Sequence, residues 1–77
     1  MTVYIQIKLY ASLSRLLPEE SDRYPIEPGS TIQDLIERLH VPIEQARLVF
    51  VNNVKTDIST PLSGGERVGI FPPVGGG

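Results

Sequence analysis

The residues with the greatest chemical potential are the last six, Pro72-Pro73-Val74-Gly75-Gly76-Gly77. Two consecutive prolines hold φ at about −65° and favour a stiff, extended backbone. Glycine has no Cβ, so a Gly75-Gly76-Gly77 strand fits a passage too narrow for other residues. At about 3.3 Å per residue, positions 72–77 reach roughly 20 Å from the residue that precedes them. With Gly77 at the tip, the reactive group carried there is an α-carboxylate, and such groups are ionised at neutral pH because they titrate near ~3.5. The reaction natural to it is attack on an activated phosphate, which yields an acyl-adenylate. A frayed terminus is the plain alternative, and composition alone does not choose between the two.

The rest of the chain offers little chemistry of its own. It has no cysteine, so thiol catalysis, disulfides and thiolate metal sites are excluded within it. His40 is the sole histidine; its expected place is a helix end, where a cation suits the dipole, and a lone imidazole is a poor basis for a metal site. Gly64-Gly65 is followed by neither the lysine nor the helix that a phosphate-binding loop requires. No Ser-His-Asp arrangement or carboxylate pair can be argued. The chain is therefore expected not to catalyse anything alone.

At 77 residues the chain is one small domain, of a size that buries only about 60% of its unfolded surface. Stability must come from a compact core, a partner, or both. Apolar residues at 40% and charged ones at 21% fit a folded domain. The seven Lys and Arg are scattered against nine Asp and Glu, which argues against the basic stripe of a nucleic-acid surface. Met1–Tyr10 lacks the basic and apolar blocks of a signal peptide, and no apolar stretch nears the roughly 20 residues that span a bilayer. The expected location is the cytoplasm, without membrane contact.

The elements that must position the tail are readable from periodicity. Val3, Ile5, Ile7 and Leu9 alternate with Tyr4, Gln6, Lys8 and Tyr10, which predicts a half-buried strand. Leu13, Leu16 and Leu17 suggest a short helical turn before Pro18. Arg23–Glu27 reads as a strand that Pro25 confines to a sheet edge. Ile32, Leu35, Ile36 and Leu39 share one face of a helix, with Ser30 as N-cap, Gln33 completing a capping box, and Pro42 as the stop. Leu48–Val51 is a continuous apolar strand, Asn52-Asn53 a turn, and Val54–Thr56 a short returning arm. Gly64-Gly65 is a tight turn into a last strand, Arg67–Phe71. The order β-β-α-β-β-β has one main helix, which can cover only one sheet face. By strand parity Phe71 points away from the core formed by Val68 and Ile70, so an outward aromatic at the tail's root is a candidate interface anchor. Val49 and Val51 are expected on the same uncovered face.

The stretch Leu62–Gly77, with its Gly-Gly turn, alternating strand and Pro-Pro-Val-x-Gly-Gly ending, resembles the C-terminal signature of the small subunit of molybdopterin synthase. Leu9-Tyr10-Ala11-Ser12-Leu13 with Leu16-Leu17-Pro18 resembles that family's first strand exit, and Leu48–Asn52 its central strand and turn. The resemblance covers essentially the whole chain. It departs at Glu66, where aspartate is usual, at Gly75, where alanine is common, and at Ser14, where arginine is frequent.

The resemblance implies an α+β, ubiquitin-like β-grasp fold: a mixed four- to five-stranded sheet with one main helix packed on one face. Residues 1–71 would form the domain and 72–77 the extended tail. It implies a sulfur carrier without a bound cofactor. An ATP-consuming, ubiquitin-activating-like adenylyltransferase would adenylate Gly77, and sulfur would replace the adenylate to give a thiocarboxylate. The tail, with Gly76 behind Gly77 and Phe71, Pro72, Pro73, Val74 and Gly75 as its partner-binding stem, would then enter the large subunit of molybdopterin synthase. The assembly would be a heterotetramer, and sulfur would pass to a pyranopterin. A thiazole sulfur carrier is the nearest rival, although Pro72-Pro73 speaks against it. A ubiquitin-like modifier joined through Gly77 to lysines would use the same tail. A plain adaptor with an inert tail is a third reading.

Overall fold

The alternation of Val3–Leu9 becomes the first strand, β1, whose Ile5, Ile7 and Leu9 are buried while Tyr4, Gln6 and Lys8 face solvent. A computed structural model of the chain describes residues 1–46 and 48–73. It places four further strands, β2 (Tyr24–Ile26), β3 (Leu48–Val51), β4 (Val54–Lys55) and β5 (Arg67–Phe71), and one α-helix, α1 (Ile32–Arg38). The five strands form one mixed sheet in the order β2-β1-β5-β3-β4. β5 lies at its centre, parallel to β1 and antiparallel to β3. Pro25 sits on the edge strand β2, paired with Tyr4, where its missing N–H costs no ladder bond.

The core lies between the sheet and α1. Ile5, Ile7, Val68 and Ile70 from the two central strands join Ile32, Leu35, Ile36 and Leu39 from the helix. Val49 is also buried there, and Val51 packs against the same cluster. This corrects the expected placement of those two valines. A fully apolar run hides its parity, and register resolves it: Val49 pairs with Ile70 and Val51 with Val68, so both point at the helix.

The helix begins one residue later than expected. Asp34 N–H donates to Thr31 Oγ1 at 3.2 Å, and Thr31 N–H donates to Asp34 Oδ2 at 3.0 Å, which completes the capping box. Ser30 is instead committed to the preceding turn, its hydroxyl donating to the Glu27 carbonyl at 2.7 Å. Further first-turn donors are satisfied by the long loop, since Ile32 N–H and Gln33 N–H reach Thr60 O and Ile58 O. That loop anchors itself with Leu62, which is buried. The helix stops before Pro42 acts. His40 adopts φ +60°, and the bonds from His40 N–H to Glu37 O and Val41 N–H to Ile36 O form a Schellman closure. His40 thus serves the chain through its backbone.

Two turns set the central strand. Asn52 and Asn53 both have positive φ (53° and 69°), the conformation of a two-residue hairpin turn. The Asn52 side chain accepts from Arg67 N–H at 3.0 Å, and its own N–H donates to Arg67 O at 2.9 Å. On the other side, Glu66 clasps the glycine turn. Its carboxylate accepts from Gly64 N–H at 2.7 Å, Ser63 N–H at 2.8 Å and Ser63 Oγ at 3.1 Å. Partial burial alone would push the Glu66 carboxyl up, but these hydrogen bonds outweigh it and hold it below the usual carboxylate range.

Gly64 has φ +116°, and a Cβ there would stand 2.7 Å from Val3 Cβ. Gly64→Ala is expected to cost about 2–3 kcal/mol, from left-handed strain plus the clash with β1. Gly65→Ala, at φ +86° with no atom within 4 Å, should cost only about 1 kcal/mol. Equal losses for the two variants in urea unfolding would contradict this packing.

The depressed carboxyl of Glu66 fixes the sign of a pH effect. Its contribution is present above the ordinary carboxylate pKa and is lost as pH falls through the lowered folded value. Glu66→Gln should lower stability by about 1 kcal/mol near neutral pH and bring the two urea midpoints together in acid. A difference that persists unchanged at low pH would refute the clasp.

Candidate functional site

The tail's root is held by the centre of the sheet. β5 is bonded on both sides, so Phe71 leaves a strand flanked by β1 and β3 rather than a free edge. Pro72 is buried and Pro73 exposed, which marks where the chain emerges from the domain. Val74, Gly75, Gly76 and Gly77, the residues expected to carry the chemistry, lie outside the described residues.

The sheet face opposite α1 is built from the alternate residues of the same strands. Phe71 points into it, as parity predicts. Its ring stacks on Tyr10, with centroids 4.1 Å apart and planes 3° from parallel. Phe50 meets Phe71 edge-on at 5.5 Å and 79°. Tyr10 is brought there by the abrupt end of β1, where Ala11 takes φ +52° and a 3-10 turn follows over Ala11–Leu16. Tyr4, further along β1, carries the Arg23 guanidinium over its ring at 4.4 Å.

Together with Lys8, Gly69 and Arg67, the aromatic cluster lines an open groove of about 370 Å³, with Asn53 from the hairpin turn at its side. Charge is distributed unevenly around it. Lys8, Lys55 and Arg67 are the cations of the strands, and each lies on this face by alternation or pairing. No Asp or Glu occurs in any of the five strands. Asp34 and Glu37 ride on α1, on the other side of the sheet. The groove lining contains no carboxylate, imidazole, thiol or aliphatic hydroxyl. Among the described residues no cluster of His, Cys, Asp and Glu could hold a metal ion, and no helix is long and apolar enough to cross a membrane.

Sequence reasoning placed Phe71 and Tyr10 on the uncovered side but missed Phe50, Lys8, Gly69 and Arg67 as members of one surface. The available signal was the partnership of β5 with both β1 and β3, which sets Gly69 beside Lys8 and Phe50. That pairing is not written in any single strand.

The fold has solved counterparts. A solution structure of the Haloferax volcanii protein HVO 2177 aligns with a TM-score of 0.77 at 19% identity, covering 99% of this chain and 88% of that one. The crystal structure of H. volcanii small archaeal modifier protein 1 aligns at 0.67 and 19% identity, covering 94% and 99%. A putative molybdopterin converting factor subunit 1 from Pyrococcus furiosus aligns at 0.62 and 25% identity, again over 94% and 99%. These proteins share the ubiquitin-like β-grasp arrangement described above, and a modifier and a molybdopterin-converting subunit stand side by side among them. No curated protein sequence matches the chain. Residues 2–75 match the Mut7-C ubiquitin family, and the chain belongs to that family.

Proposed function

We propose that this protein is a sulfur carrier that works through the carboxylate of Gly77 and supplies molybdopterin synthesis as the small subunit of the synthase. The observation that carries the reading is the route of β5: the central strand runs through Phe71 on the open face straight into Pro72-Pro73. A stem anchored on both sides can push a narrow glycine tail into another protein's active site without disturbing the domain. The groove beside the stem offers that protein a surface to grip.

In this reading a Gly77 carboxylate oxygen attacks the α-phosphorus of ATP in an adenylyltransferase, and pyrophosphate leaves. Hydrosulfide then attacks the acyl carbon, AMP leaves and a proton is released, so one carboxylate oxygen has been exchanged for sulfur. The large synthase subunit receives the thiocarboxylate and directs its sulfur onto a pyranopterin. This chain contributes the acyl group, the stem and the docking face; the partners contribute ATP binding and acid–base groups. The likeness to a molybdopterin converting factor subunit supports this choice.

The likeness to a small archaeal modifier protein favours a second reading, conjugation of Gly77 to lysines of other proteins. Both begin with the same adenylate and diverge at the nucleophile, sulfur in one case and a lysine amine in the other.

Intact-mass measurement separates them. After incubation with ATP, an adenylating enzyme and a sulfur donor, the protein should gain the mass of a sulfur less an oxygen, located at Gly77 by fragmentation. Deletion of Gly76 and Gly77 should abolish the gain. Recovery of the native protein chiefly as lysine-linked adducts, with no sulfur form, would favour the modifier. An unchanged mass, together with no lysine-linked adducts of the native protein, would reject both.

A further inference from the structure

Gly69 occupies the middle of the central strand, between Lys8 of β1 and Phe50 of β3. Glycine weakens a strand interior and is kept there for backbone conformation or for close approach of something else. Conformation is not the reason, since Gly69 is absent from the positive-φ glycines. Crowding within the chain is not the reason either. A Cβ at 69 would meet Tyr10 Cε2 at 3.5 Å and Phe71 Cε1 at 3.8 Å, both ordinary contacts. The missing side chain instead forms the floor of the groove, walled by Phe50 and Phe71 and rimmed by Lys8 and Arg67.

A matching ligand is slim where it crosses Gly69, apolar at one point and negative beside it. The strand cations Lys8, Lys55 and Arg67 all face this side and the groove's lining holds no acid, so the groove is locally basic although the chain's net charge is −2; Asp22 lies beyond Arg67, in the neighbouring pocket. Single-stranded nucleic acid would need free aromatic faces to stack on. Here Tyr10 and Phe71 each give one ring face to the other, and Phe50 packs edge-on against Phe71, so the rings are joined in one cluster rather than splayed to receive successive bases. An extended peptide needs no such platform.

We propose that the groove over Gly69 receives an extended acidic segment of a partner protein, with an apolar side chain seated between Phe50 and Phe71 and carboxylates against Lys8 and Arg67. The site is separate from the tail's chemistry, and a carrier or a modifier would use it alike. Its test therefore involves neither ATP nor sulfur.

A random short-peptide library is selected on the full chain, and the enriched peptides are synthesised. They should carry Asp or Glu flanking Leu, Ile or Phe, and should shift the amide signals of Lys8, Gly69 and Phe71 in NMR titration. Lys8→Glu with Arg67→Glu should weaken binding by about tenfold, the scale of two screened charge pairs. Gly69→Ala adds only a Cβ, in ordinary contact with the Tyr10 and Phe71 rings, and raises the floor; it should weaken binding by about tenfold while still unfolding cooperatively near the wild-type temperature. The proposal is overturned by the absence of any enriched peptide, by enrichment without acidic residues, or by unchanged binding to a folded Gly69→Ala. Oligouridylate that shifts these residues while no acidic peptide does would assign the groove to nucleic acid instead.

Discussion

The parallel pairing of β1 with β5 is the constraint on which the rest of the structure depends. It joins residues near the two ends of the described chain, Ile7 with Val68 and Leu9 with Ile70, and all four side chains are buried against the helix. Closing so long a loop is entropically costly and is repaid only when the apolar surface between sheet and helix is removed from water. Once closed, it puts the last strand in the middle of the sheet. The Gly64-Gly65 turn, the Glu66 clasp and the bonds between Asn52 and Arg67 serve this single placement, since each fixes where β5 starts. A tail leaving an edge strand would share that edge's fraying; a tail leaving β5 starts from backbone bonded on both sides.

The second constraint is arithmetic. One short helix covers one face of a five-stranded sheet, and among the described residues no second α-helix covers the other. The uncovered face solves part of its exposure internally, by stacking Tyr10 on Phe71 and setting Phe50 against them. Aromatic pairs of this geometry gain beyond their buried area. They also join residues from β1's end, β3 and β5 into one contiguous aromatic cluster. That cluster includes Phe71, which directly precedes Pro72, so the proposed docking face and the root of the tail share a residue.

Much of this was legible in the sequence. Period-two alternation marked β1 and β5, Pro25 marked an edge, and i, i+3, i+4 spacing marked the buried face of α1. What failed did so for local reasons. Ser30 and Thr31 are both competent caps, and the choice between them depends on which carboxylate lies three residues on and on the turn that engages Ser30. Val49, Phe50 and Val51 have no polar neighbours to reveal their parity, so only pairing with β5 separates the core valines from the outward phenylalanine. The end of α1 looked like the work of Pro42, yet a histidine in left-handed backbone closes the helix first. The tail was visible as composition, but composition speaks of what the glycines permit and not of where they go.

Net charge was the least informative quantity of all, and the reason is physical. Summed over the chain, acids and bases nearly cancel, and their scatter along the sequence spoke only against a basic stripe. Strand alternation sorts them. Every second residue of a strand faces the same way, so Lys8 and Arg67, distant in sequence, converge beside Gly69, while the helix carries its acids on the far side of the sheet. A partner meets that sorted surface rather than the sum, and at separations within a Debye length of about 8 Å the local cations dominate what it feels. An acidic segment is thereby favoured at the groove, where Lys8 and Arg67 converge with no acid among the lining residues. For a protein whose working end is proposed to enter another molecule, that bias aligns the tail's root with its target at the moment of encounter.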